Sequence, residues 1–184
     1  MNNRNSGACF EGNNLVEMAN GQLKKVENIR KGDKVQTEFG MAQIICVLKT
    51  KCHNNEADLV EVFNKQSQTI LKVTPFHPIL WKNTWIHPNS LPISFSRRSI
   101  QPCEAVYSFL LDDVHTMIIN NIVVISLAHD RREDVLDHWF YGTQKVRDFM
   151  MSCPGWDSGL ILLDHNSSIR NQDGTFLGLR LNGN

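Results

Sequence analysis

Residues 9–35 read CFEGNNLVEMANGQLKKVENIRKGDKV. Turn signals punctuate this stretch. Asn20-Gly21 separates Leu15-Val16-Glu17-Met18 from the run that starts at Leu23. An Asn-Gly pair between such runs predicts a two-residue hairpin, because both residues tolerate positive φ. Arg30-Lys31-Gly32-Asp33 predicts a second turn, leading to Lys34-Val35-Gln36-Thr37, and Phe39-Gly40 predicts a third. The segment therefore reads as short strands joined by tight turns.

Working outward, the same texture continues. Met41 to Lys49 (MAQIICVLK) is β-rich and apolar on both parities, which predicts a strand buried on both faces. Asp58–Phe63, Thr69–Val73, Val106–Leu111 and Met117–Leu127 read as further strands, with Asn120 and Asn121 as turn residues. The proline-rich stretch 82–102 reads as irregular loop with short extended pieces. No helical period persists before residue 130, so the body is all-β. After His129 the pattern changes. A helix is predicted near 143–150, capped by Thr143 and stopped at Cys153-Pro154-Gly155, with strands at Gly159–Leu163 and Thr175–Leu181. The fold class is mostly β: a domain of antiparallel strands over 9–130 with a small α/β C-terminal extension over 131–184. Residues 1–8 read as a flexible flank.

Composition narrows the classes of function. The 184 residues are 41% apolar and 21% charged, enough to bury a core. Lys plus Arg and Asp plus Glu both number 19, so no basic excess draws the chain to nucleic acid or anionic lipid. No apolar run approaches the ~20 residues that cross a bilayer, and the polar start is no signal peptide. The five cysteines form neither a dense disulfide framework nor a zinc spacing. Free thiols in a reducing, cytoplasmic compartment are expected, with no metal and no cofactor.

Three blocks in order resemble the Hint (hedgehog/intein) superfamily. They are residues 9–35, Leu71–Leu80 (LKVTPFHPIL) with its Thr-x-x-His, and Val106–Val124 (VYSFLLDDVHTMIINNIVV). The later segments from His115 to His129, from Trp139 to Val146, and Pro154-Gly155-Trp156 resemble the Hint modules that follow von Willebrand A domains. The resemblance implies a Hint fold and intein-like autoprocessing. Cys9 would attack the carbonyl of Ala8, an N–S acyl shift that turns an amide into a thioester. A thiol suits this step because sulfur is intrinsically nucleophilic, and the fold supplies proximity. His77 would be the acid for the departing nitrogen, Thr74 would hold the peptide, and His115 would assist at the late strand. The partners implied are the chain's own N-terminal flanking domain, of von Willebrand A type, and water or another nucleophile as acyl acceptor.

Two departures from the pattern stand out. Ser108 occupies a position where inteins place Asp, and a hydroxyl is not the same base. Ile125-Ser126 stands where inteins end in His-Asn, so the cyclisation that completes splicing has no agent. Asp130, after His129, is a weak substitute. Cleavage or transfer of the N-terminal flank without full splicing is therefore expected. A catalytically silent Hint-fold binding or structural module is the alternative. Residues 131–184 are too polar to suggest a sterol site.

Overall fold

The structure is a computed structural model that describes residues 8–181. Except for Ala8, the lead-in expected over residues 1–8 lies outside the described residues. The elements run β1 (Phe10–Glu11), β2 (Leu15–Glu17), β3 (Leu23–Lys25), β4 (Lys34–Thr37), β5 (Gly40–Lys51), β6 (Glu56–Asn64), β7 (Thr69–Val73), β8 (Ile79–Trp81), β9 (Thr84–Ile86), β10 (Ser96–Pro102), β11 (Ala105–Leu111), β12 (Thr116–Ile119) and β13 (Ile122–Ile125). Beyond them lie α1 (Gln144–Ser152), β14 (Leu160–Leu163), β15 (Ser168–Arg170) and β16 (Phe176–Leu179). Among the described residues one sheet has the order β10-β6-β7-β1-β11-β5-β14, with β4 also paired to β5. A second has the order β3-β2-β12-β13-β8-β9, and β15 pairs with β16. The architecture is mostly β and antiparallel, apart from β14, which runs parallel to β5.

The two large sheets face each other over a core that includes Phe10, Val62, Val73 and Phe109 from one and Val16, Ile79, Met117 and Val124 from the other. β11 shows why the sequence builds this arrangement. All seven of its residues are buried, and their faces alternate. Ala105, Tyr107, Phe109 and Leu111 enter the inter-sheet core, whereas Leu110 turns to the opposite side. That opposite side is covered by the C-terminal residues. Val146 and Met150 of α1, with Phe140, Ile161 and Phe176, pack against Cys46, Leu48 and Leu110. This explains the two-faced burial expected of β5. A register shift between Leu110 and Leu111 also leaves Ile45 opposite no partner, so Ile44 and Val47 share the core face. Thr143 caps α1 as expected, accepting from the Lys145 N–H at 3.3 Å.

Three expectations are corrected. The hairpin at Asn20-Gly21 has a three-residue loop rather than a two-residue one. Met18 N–H bonds Gln22 O at 2.8 Å, Gly21 N–H bonds Met18 O at 2.9 Å, and Gly21 has φ +85°. Only the glycine enters the left-handed region, as in a type I turn closed by a bulge. Secondly, Met117–Leu127 is not a continuous strand. Asn120 and Asn121, at φ +45° and +62°, form a two-residue turn between β12 and β13, in keeping with their residue type. Thirdly, the stretch 82–102 contains the regular edge strand β10, paired with β6 from Ser96↔Val62 to Pro102↔Glu56. Pro102 stands at the strand's end, where a missing N–H is tolerated. Among the described residues no helix is long and apolar enough to cross a membrane.

Candidate active site

β1 is only two residues long, yet it is wedged between β11 and β7, with Phe10 opposite both Tyr107 and Val73. Phe10 points into the inter-sheet core, so its neighbour Cys9 points the other way, into a buried cluster with Cys52, Leu59, Cys103 and Val106. Just past β7, Thr74 receives the Cys9 N–H on its Oγ1 at 3.0 Å, and the Thr74 N–H bonds Cys9 O at 3.0 Å. The chain then turns through Pro75, and His77 N–H closes the turn on Thr74 O at 3.2 Å. Proline at the second position presets the φ such a turn needs. This local geometry is why a Thr and a His three residues apart reach one site.

His77 is buried, with its ring against Phe10 at a centroid distance of 4.2 Å. Its Nε2 lies 2.6 Å from Ile125 O. A carbonyl only accepts, so Nε2 carries the hydrogen and the neutral ring presents a bare lone pair at Nδ1. Nδ1 makes no hydrogen bond among the described residues. Burial pushes the pKa of His77 down to about 4, against the opposing pull of the Ile125 and Ala8 carbonyls. Cys9 is pushed up to about 11, chiefly by burial, with the Ser108 hydrogen bond acting in the opposite sense. At neutral pH the Cys9 thiol and the His77 imidazole are both uncharged.

Ser108 changes the picture that its departure from Asp suggests. Its Oγ donates to Ala8 O and lies 3.1 Å from Cys9 Sγ. The hydroxyl hydrogen is committed to the carbonyl, so the thiol hydrogen points to Ser108 Oγ. One side chain thus bridges the sulfur to the oxygen of the peptide bond that joins Ala8 to Cys9.

A Hint-domain family model, Vint, matches residues 8–177. The chain belongs to the Vint family of Hint domains. Solved structures agree on the fold. The bacterial intein-like domain from Clostridium thermocellum superposes with a TM-score of 0.54 at 19% identity, covering 66% of this chain and 100% of that one. The DnaB intein from Synechocystis sp. PCC 6803 gives 0.51 at 15% identity, covering 64% and 97%. The gp41-1 intein gives 0.51 at 12% identity, covering 64% and 98%. No curated protein matches in sequence.

In this Vint domain Ala8, Cys9, Thr74 and His77 come together. His115 does not join them through any described contact. It follows the strained Val114 in the β11–β12 turn, where both residues have positive φ, and its carbonyl receives Ser126 N–H at 2.9 Å. Burial lowers its pKa, with Asp113 and Arg147 as its charged neighbours. A different histidine, His129, is an electrostatic neighbour of His77 and is itself pushed down to about 4, chiefly by burial. The Gly142 backbone lies against it. A Cβ on Gly142 would sit 3.0 Å from the His129 ring and 2.9 Å from His138 O. In the sequence His129 stands out only as the neighbour of Asp130. Asp130 itself is exposed and pairs with Arg132 at 3.4 Å. Sequence reasoning reads Ser108 only as a lost Asp and gives His129 no role, because the strand pairing that brings Ser108 to Cys9 and the chain path after β13 that brings His129 near His77 are not local. Among the described residues, no group of three His, Cys, Asp or Glu side chains is arranged to hold a metal ion.

Proposed function

We propose that this chain, whose Hint fold is that of an autoprocessing-type domain, performs the first half of intein chemistry: Cys9 attacks the Ala8 carbonyl, and the resulting thioester releases or transfers the N-terminal flank. The observation that carries this reading is the Ser108 bridge between Cys9 Sγ and Ala8 O. As sulfur adds to the carbonyl carbon, the thiol proton passes to Ser108 Oγ, and the proton of Ser108 passes to the carbonyl oxygen. The adduct forms without charge separation, so a thiol pushed up to about 11 need not ionise first. Next the C–N bond breaks. The adduct's hydroxyl proton moves through His77 to the leaving nitrogen, the carbonyl re-forms, and Cys9 is left with a free amino group. Thr74 holds the Cys9 N–H and fixes the amide against the strand end.

The partners proposed are the chain's own N-terminal flanking domain, of von Willebrand A type, and water or another nucleophile as acyl acceptor. Residues 9–184 stay together, because Ile125-Ser126 provides no asparagine amide to cyclise. The deciding experiment is intact mass spectrometry of the chain carrying a folded domain ahead of residue 1, with and without dithiothreitol. Release of that domain at Ala8, accelerated by the thiol, supports the reading. An intact chain after long incubation with the thiol supports the silent-module alternative.

A further inference from the structure

Cys9 shares its pocket with two further thiols. Cys52 follows the end of β5, and Cys103 lies in the link between β10 and β11. Two backbone hydrogen bonds hold these segments side by side. Cys52 N–H bonds Glu104 O at 2.9 Å, and Cys103 N–H bonds Asn55 O at 2.8 Å. The two sulfurs consequently meet at 3.9 Å, though 51 residues separate them along the chain. Both side chains are buried, at 4% and 7% exposure, in the cluster that holds Cys9, Leu59 and Val106. A buried thiol is often only a small apolar filler. Here, however, Cys52 also lines a cavity of about 40 Å³ that it shares with Cys9, Thr74 and Ser108. That volume admits a molecule the size of water or hydrogen peroxide and is too small for a peptide disulfide such as oxidised glutathione. Cys9 Sγ faces Ser108 Oγ at 3.1 Å, whereas Cys52 Sγ faces Cys103 Sγ.

We propose that Cys52 and Cys103 form a dithiol that reacts with hydrogen peroxide entering this cavity, and so keeps the Cys9 sulfur reduced. The dithiol stands without the thioester reading; its guarding of a nucleophile rests on that reading. Peroxide is the two-electron oxidant, and the step balances. The Cys52 thiolate attacks one peroxide oxygen, so that an S–O bond forms and the O–O bond breaks. The departing hydroxide takes up the thiol's proton and becomes water. Cys103 then attacks the sulfur of the Cys52 sulfenic acid. The S–S bond forms, the S–O bond breaks, and the hydroxyl leaves as a second water with the Cys103 proton. Two thiols and one peroxide thus give one disulfide and two waters. The contact between the sulfurs decides the second step, because Cys103 needs no approach to reach its partner. The surroundings favour the same order in the first step. The hydrogen bond with Cys103 lowers the pKa of Cys52, whereas burial pushes Cys9 up to about 11, so Cys52 holds more of the reactive thiolate.

The test uses the full chain with a folded domain ahead of residue 1. It is treated with one equivalent of hydrogen peroxide, cleared with catalase and divided. One portion is unfolded, alkylated with iodoacetamide and mapped by peptide mass. It should show Cys52 joined to Cys103, Cys9 alkylated, and two hydrogens lost from the intact mass. The other portion receives hydroxylamine, which cleaves a thioester and spares a disulfide. It should release the domain at the rate of the untreated chain. In a Cys103→Ala chain that keeps its far-ultraviolet spectrum, the Cys52 sulfenic acid is left with Cys9 as the other thiol of the cluster. The same treatment should then slow release several-fold. Oxidation of Cys9 in the parent, or a parent with every thiol still alkylated, overturns the dithiol. Unslowed release from the oxidised Cys103→Ala chain overturns its guarding of Cys9. No release by hydroxylamine from the untreated parent overturns the thioester reading and the guarding with it, and the peptide map then still decides the dithiol.

Discussion

The two ends of the Hint core invite comparison. At the N-terminal junction, Cys9, Thr74, Ser108 and His77 surround one peptide bond, and each has a hydrogen bond that aims it. At the end of β13, Ile125 offers its carbonyl, the Ser126 hydroxyl makes no hydrogen bond among the described residues, and Asp130 turns out to solvent. The same β-sheet scaffold supports both places, so the scaffold does not confer chemistry. Side chains at a few positions do. The proposed chemistry belongs to the junction, and the far end contributes the Ile125 carbonyl that holds His77 Nε2.

The comparison breaks most sharply at the nucleophile. Cys9→Ala should abolish release of the flank, since alanine has no lone pair to offer; intact mass after thiol treatment reads the result, and residual release would place the chemistry elsewhere. His77→Ala should slow release by about 10²–10⁴-fold, the usual share of a proton-transfer group. Single-turnover rates on a folded variant check this. Ser108→Ala should cost about 10²–10³-fold, the cost of one donor to a developing oxyanion, with the spectrum of the folded chain unchanged. A rate within twofold of the parent would show that the bridge is packing alone.

Acid provides a subtler probe. His77 titrates near 6.5 in an unfolded chain but is pushed down to about 4 in the fold. The folded state therefore binds fewer protons in between, and falling pH favours the unfolded chain. Stability contributed by the neutral ring is complete above about pH 6.5. It is lost progressively toward pH 4, by roughly 3 kcal/mol. Urea unfolding at several pH values should show this slope, and His77→Gln should flatten it. The smallest effect belongs to the far end: Asp130→Ala should leave both the pattern and the rate of cleavage unchanged. A fragment beginning near Arg131 that vanishes in this variant would mean the last strand has chemistry of its own.

Part of the site is legible in the amino-acid sequence. The Thr74–His77 spacing spans one proline-containing turn, so its geometry is set within four residues. Cys9 stands at the head of a block of strands and turns. Ser108 reads as a loss when its residue type is weighed without its partners. In the fold, the pairing of β1 with β11 brings it to Cys9 and Ala8 together. The late block suggests His115 for the site because it carries a histidine there, yet the turn after β11 directs its contacts to the acidic pair and Arg147.

What the sequence by itself determined is whatever depends on neighbours within a few residues. It specified the turn residues Asn120 and Asn121, the cap at Thr143 and the lack of an asparagine at Ile125-Ser126. The tertiary structure alone decided which face of Ser108 meets Cys9 and that His77 gives one nitrogen to Ile125. The physical reason is one of range. Torsional preferences and turn chemistry act along the chain. Contacts between segments a hundred residues apart exist only after strand pairing and core packing have selected one register, and a single bulge in β5 is enough to change which side chains face the core.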